Sequence, residues 1–245
     1  MSHESLTIRT ADGDCPSFCF TSKEGSGPRP VIVVYMDAGG IRSAMMEMAQ
    51  RLADAGYVVL LPDLFYRYGP YGPFVPREVF AGDFRTVLGP LMATTDNLKA
   101  AVDTEALLEY LNSRDDVAGS KVGAVGFCMG GGMAIAAAGT WPDRFCAVAS
   151  FHGGRLATDE PTSPHLFAPR LSAEIYVAAA ENDSSYPPEM AASFEAALDS
   201  AGVRYSAETY PAAHGWMMPD FPVYDHGEAE RGWTELLRFF ARSLE

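Results

Sequence analysis

Positive charge is scarce in this chain. Eighteen lysines and arginines stand against 32 aspartates and glutamates, for a formal net charge of −14, and no basic run appears. A nucleic-acid groove or an anionic membrane surface needs clustered lysine and arginine, so neither is an expected partner. Long apolar runs are missing too, which removes a membrane-spanning helix from the reading. The first residues, MSHESLTIRTADGD, lack the basic and apolar segments of a secretion signal, so a cytoplasmic location is expected. Cysteine is rare: Cys15, Cys19, Cys128 and Cys146 form no CxxC pair, which argues against a zinc site. Cys15, Cys19 and Cys146 read as packing residues, because a cytosolic setting disfavours disulfides. No metal site is expected. Repeats, low-complexity tracts and linkers are absent, so residues 1–245 read as one domain.

What is present is alternation. Residues 5–10 and 15–20 read as two short antiparallel strands joined at Asp12-Gly13. VIVVYM (31–36), YVVLL (57–61), VGAVGF (122–127), AVASFH (147–152), IYVAAA (175–180) and YSAETY (205–210) read as further strands. The β-branched run 31–36 marks a strand covered on both faces. Helical spacing fills the intervals: Met45, Met48, Ala49, Leu52 and Ala53 share one face of 42–55, and 94–114, 129–139, a segment opened by Pro187-Pro188, and 228–243 follow. Such alternation predicts an α/β fold, a mostly parallel sheet with helices on both faces. Residues 63–93, rich in Pro, Gly and Tyr, read as a long functional loop.

In such sheets ligands bind beyond the carboxyl ends of the strands. Those positions hold Asp37-Ala38-Gly39-Gly40, Cys128, His152-Gly153-Gly154-Arg155, Glu181-Asn182-Asp183 and His214-Gly215-Trp216. A thiol, an acid and an imidazole thus fall at one end of the sheet, in the chain order nucleophile, acid, base. Gly126-Phe127-Cys128-Met129-Gly130 fits the G-x-S-x-G nucleophile elbow with cysteine in place of serine. The elbow forces its nucleophile into a strained turn whose neighbours must be small. A helix starting at Met129 points its free amides at Cys128, which favours a thiolate and later an oxyanion. His214 is placed to take the thiol proton and Asp183 to orient the imidazole. Asp183 as a helix cap before Pro187, with Glu181 as the acid, is the alternative. The amides of Ala38 and Met129 are the expected oxyanion donors.

The stretches VIVVYMDAGG, GYVVLLPDLFYR, KVGAVGFCMGGG, ENDSSYP and YPAAHGW resemble the dienelactone hydrolase family of α/β-hydrolases. The resemblance implies an α/β-hydrolase fold and a cysteine hydrolase of small esters or lactones, working without a cofactor; the sequence leaves monomer or homodimer open. In dienelactone-cleaving members a glutamate after the third strand contacts the resting thiol. Here that position is Asp37, expected to contact Cys128 or His214, with a structural turn role as the alternative. Those members also hold a substrate carboxylate with two arginines. Met218 stands where one would be, and Arg77 and Arg85 are candidates for the other. Tyr66, His152 and Trp216 are expected to wall the substrate pocket, and Arg155 to form a surface salt bridge. The rival reading is a ligand-binding or redox-sensing protein on a hydrolase scaffold, with Cys128 as the sensor.

Overall fold

The computed structural model describes residues 3–22 and 27–244. Eight strands form one sheet: β1 (His3–Arg9), β2 (Asp14–Phe20), β3 (Val31–Tyr35), β4 (Val58–Pro62), β5 (Val122–Phe127), β6 (Phe145–Phe151), β7 (Glu174–Asn182) and β8 (Tyr205–Ala213). Their order is β1-β2-β4-β3-β5-β6-β7-β8. β1 and β2 pair antiparallel, as does β2 with β4, and the remaining pairs are parallel. The central strands β3, β4 and β5 are buried along their whole length, as strands covered on both faces must be.

The covering helices are α1 (Ser43–Asp54), α2 (Pro76–Ala81), α3 (Phe84–Met92), α4 (Asn97–Asn112), α5 (Met129–Thr140), α6 (Pro188–Ser200) and α7 (His226–Ser243). α1 buries Met45, Met48, Ala49, Leu52 and Ala53, the face its periodicity marks out. α4 starts three residues later than its sequence pattern suggests, because the Asp96 carboxylate accepts from the Lys99 amide and caps it there. Residues 63–93 are not a bare loop. They contain α2 and α3, too short and too proline-rich for periodicity to reveal; Pro90 lies inside α3. A 3-10 helix at Pro164–Arg170, with prolines at 164 and 169, escaped for the same reason. No described helix is long and apolar enough to cross a membrane.

Register sets the chemistry. Phe127 of β5 pairs with Phe151 of β6, so the next residues, Cys128 and His152, emerge side by side. Asn182 of β7 pairs with Ala213 of β8, so Asp183 and His214 do the same. Tyr35 of β3 pairs with Gly126 of β5, leaving Ala38 and Met129 three residues beyond a matched pair.

Candidate active site

Cys128 occupies a backbone conformation that L-residues rarely adopt, φ 56° and ψ −119°. Holding it there costs of order 1–3 kcal/mol. The glycines around it explain how the turn closes. A Cβ on Gly126 would lie 1.9 Å from the Gly130 carbonyl oxygen, and one on Gly130 would lie 2.1 Å from that of Tyr35. α5 therefore packs directly on the ends of β5 and β3, with its N-terminus at the thiol. The Gly131 amide already donates back to the Cys128 carbonyl at 3.1 Å.

One hydrogen-bonded chain runs through the site. His214 Nε2 lies 3.1 Å from Cys128 Sγ, and His214 Nδ1 lies 2.7 Å from Asp183 Oδ2. Asp183 keeps its other oxygen for Ser185, whose amide donates at 2.8 Å and whose hydroxyl donates at 2.6 Å. Burial raises the Asp183 pKa, but the His214 and Ser185 bonds outweigh it and hold the carboxyl below its ordinary range. Burial alone would push His214 down, yet the Cys128 charge and the Asp183 bond push it up to about 10. These shifts favour a protonated imidazole beside the sulfur. The structure thus brings Cys128, Asp183 and His214 together, and it leaves Glu181 exposed on the outside.

Ser185 was not singled out by sequence reasoning, although an Asp followed two residues later by Ser is the signature of an Asx turn. Its hydroxyl gives Asp183 a second charged hydrogen bond, so Ser185→Ala is expected to lower kcat roughly tenfold with little change in KM. Steady-state kinetics on a small ester checks this; an unchanged kcat would remove Ser185 from the relay.

His152 is a buried neighbour of the thiol. Its Nδ1 accepts from the Cys128 amide at 3.1 Å, and its ring meets that of His214 edge-on at 5.2 Å. Burial and then the nearby His214 charge hold its pKa well below the ordinary value, so it stays neutral. It is only 1% exposed, which makes it a support for the Cys128 backbone more than a pocket wall.

Three expectations need correction. Asp37 does not meet Cys128 or His214 through its hydrogen bonds. Its carboxylate is fully buried and accepts from Arg42 Nη1 at 2.7 Å, Arg42 Nη2 at 2.9 Å and the Gly39 amide at 2.8 Å. An aspartate is one methylene shorter than the family's glutamate, and an arginine five residues on claims both oxygens. Tyr66 lies elsewhere: its hydroxyl bonds Thr10 at 2.7 Å and Asp103 at 2.9 Å, and it faces a cleft that includes Phe18, Ile41 and Tyr71 but no triad side chain. Trp216 has no exposed surface and stacks on Tyr210 at 4.9 Å, so it belongs to the core behind His152. Met218 is fully buried as well, and Arg77 and Arg85 are exposed on α2 and α3. Arg155 forms a loose surface pair with Glu160 at 3.9 Å.

Arg42 and its second partner, Asp220, were also missed. The one signal was a misfit: Arg42 occupies the N-cap of α1, a position that ordinarily takes Ser, Thr, Asp or Asn, and makes no cap bond there.

Comparison with known proteins identifies the family. The profile of the dienelactone hydrolase family matches residues 16–244. A protein of Escherichia coli K12 named "putative carboxymethylenebutenolidase" is 27% identical over 239 residues, covering 96% of this chain and 84% of its own. One of the same name from Synechocystis is 26% identical, covering 89% of this chain and 88% of its own. The crystal structure of a "putative dienelactone hydrolase" from Klebsiella pneumoniae superposes with a TM-score of 0.86 over 98% of both chains at 22% identity, which shows the shared fold. The chain is a member of the dienelactone hydrolase family.

Proposed function

We propose that this hydrolase cleaves a small, uncharged ester or lactone through a thioacyl-enzyme on Cys128. The observation that carries the reading is the unbroken contact from Cys128 Sγ to His214 Nε2, 3.1 Å, and from His214 Nδ1 to Asp183 Oδ2, 2.7 Å. The thiolate attacks the carbonyl carbon, and the oxyanion is held by the amides of Ala38 and Met129. As the tetrahedral intermediate collapses, the C–O bond breaks and the alkoxide takes the proton from His214 Nε2. The product stays attached as a thioester while the alcohol leaves, or remains tethered in the case of a lactone.

Acylation then changes the histidine. The Cys128 charge is the largest influence raising the His214 pKa, and the thioester has no charge. Having given its proton to the alkoxide, and with no thiolate to draw one back, the imidazole is neutral and serves as the base, accepting a proton from water as the hydroxyl adds to the thioester carbon. The thiolate leaves, the acid is released, and the ion pair is restored. An uncharged substrate is favoured because Met218 is buried where the family's arginine would stand, and because every N–H of Arg42 is already committed.

A pH dependence follows. A histidine raised to about 10 keeps its proton at neutral pH and loses it as pH climbs through that value. The acylation rate is therefore expected to fall on the alkaline side with an apparent pKa near 10, as the acid for the leaving alkoxide disappears. Stopped-flow burst rates with a small chromogenic ester, taken from pH 6 to 11, measure it. An alkaline limb centred near the ordinary histidine value would contradict the ion pair. The proposal as a whole is tested by steady-state release over many equivalents of enzyme, abolished by alkylation of Cys128. A single burst without turnover would favour the sensing role instead.

A further inference from the structure

The segment DAGGIR, residues 37–42, folds into a closed loop around one guanidinium. Asp37 receives both ends of Arg42's fork and the Gly39 amide. Arg42 Nη1 also donates to the Gly40 carbonyl at 3.1 Å, and the Gly40 amide donates to the Asp37 carbonyl at 3.1 Å. Both glycines are needed. A Cβ on Gly39 would sit 2.7 Å from Arg42 Nη1, and Gly40 takes φ +71°. Ala38, between the paired ends of this loop, is almost wholly enclosed.

The same guanidinium reaches across to another loop. Nε and Nη2 donate to Asp220 at 2.6 and 3.0 Å. Asp220 lies six residues after His214, in the turn that holds Trp216, Met217 and Met218 in the core. Phe221 beside it lies under the guanidinium at 5.3 Å. All five N–H groups of Arg42 are thus used inside the protein, so it does not receive a substrate carboxylate. A buried arginine with two carboxylates, one carbonyl and one ring is a large commitment for a surface-helix N-cap.

We propose that Arg42 is a positioning residue that fixes the Ala38 amide for oxyanion binding by closing the 37–42 loop and tying it through Asp220 to the turn that follows His214. The inference rests on the thioacyl reading of the site. Lysine cannot replace it, because one ammonium cannot serve two carboxylates in a bidentate manner and a carbonyl as well.

The test separates two reactions of the same thiol. Ester acylation develops an oxyanion, whereas alkylation by iodoacetamide develops none. Arg42→Lys is expected to lower the pre-steady-state acylation rate with p-nitrophenyl acetate about 100-fold, the scale of one oxyanion donor, while the alkylation rate of Cys128 and its pH profile stay within about twofold. If Arg42→Lys does not fold, Asp220→Asn carries the test, since it keeps the Arg42–Asp37 pair; acylation is then expected to fall about tenfold with alkylation unchanged. Equal losses in both reactions, or no loss in either, would overturn the proposal. Failure of the underlying reading would look different: Cys128→Ala would still be acylated by the ester.

Discussion

Cys128→Ala is expected to lower kcat/KM for a small ester by at least about 10⁴-fold, with a thermal midpoint close to that of the parent. The two parts of this result come from different features. Activity falls because His214 Nε2 loses its sulfur partner at 3.1 Å, and groups acting as a unit lose nearly everything when one is removed. Stability holds because the thiol is half-buried and alanine has a similar small volume, while the strain at φ 56° remains. Cys128→Ser is the sharper comparison. A hydroxyl does not ionise in the manner of a thiol, so the charge that raises His214 is lost and the histidine reverts to a base. A serine variant as active as the parent would show that the ion pair is dispensable.

Arg42→Leu is expected to destabilise the fold by about 3–5 kcal/mol, because it leaves the Asp37 carboxylate buried without a countercharge. For a chain of this length that corresponds to roughly 10 °C in the thermal midpoint. Asp37 has no exposed surface, and the Arg42 side chain is 3% exposed, so water does not replace the missing partner. The double variant Asp37→Asn with Arg42→Leu removes the stranded charge and is expected to recover part of the loss, a coupling readable from thermal unfolding of the four proteins. Additive losses across that cycle would mean the pair contributes by packing alone.

The strand ends were legible because each strand is an apolar or β-prone run followed by a polar residue or a glycine; β3 and β5 are buried throughout, whereas β8 is mostly exposed or half-buried. Asp37, Cys128, His152, Asp183 and His214 were all found by that rule, and pairing of β5 with β6 and β7 with β8 brings the last four together. What the rule does not carry is direction. Asp37 follows β3 as predicted, but which way its carboxylate turns depends on an arginine that reads as an ordinary helix residue. Tyr66 and Trp216 failed for a related reason. An aromatic residue near a strand end has two sides available, and Tyr66 turns toward Thr10 and Asp103 while Trp216 turns into the core. Ser185 and Asp220 act only through their partners: the Asx-turn spacing marks Ser185 as a turn residue and not as a support for the acid, and nothing local marks Asp220. The helices of 76–92 are held by tertiary contacts such as Phe80 on Phe221, ring centroids 4.6 Å apart, and not by periodicity of their own.

The most direct test of the account is a rapid-quench experiment. The parent protein is mixed with excess small ester, quenched in acid within the burst, digested and examined by mass spectrometry, while a parallel sample is followed for alcohol release. The account predicts an acyl group on the peptide containing Cys128, present during the burst, and alcohol release continuing over many equivalents of enzyme. Sustained release with no acyl group on Cys128, or with the acyl group on another residue, would contradict it.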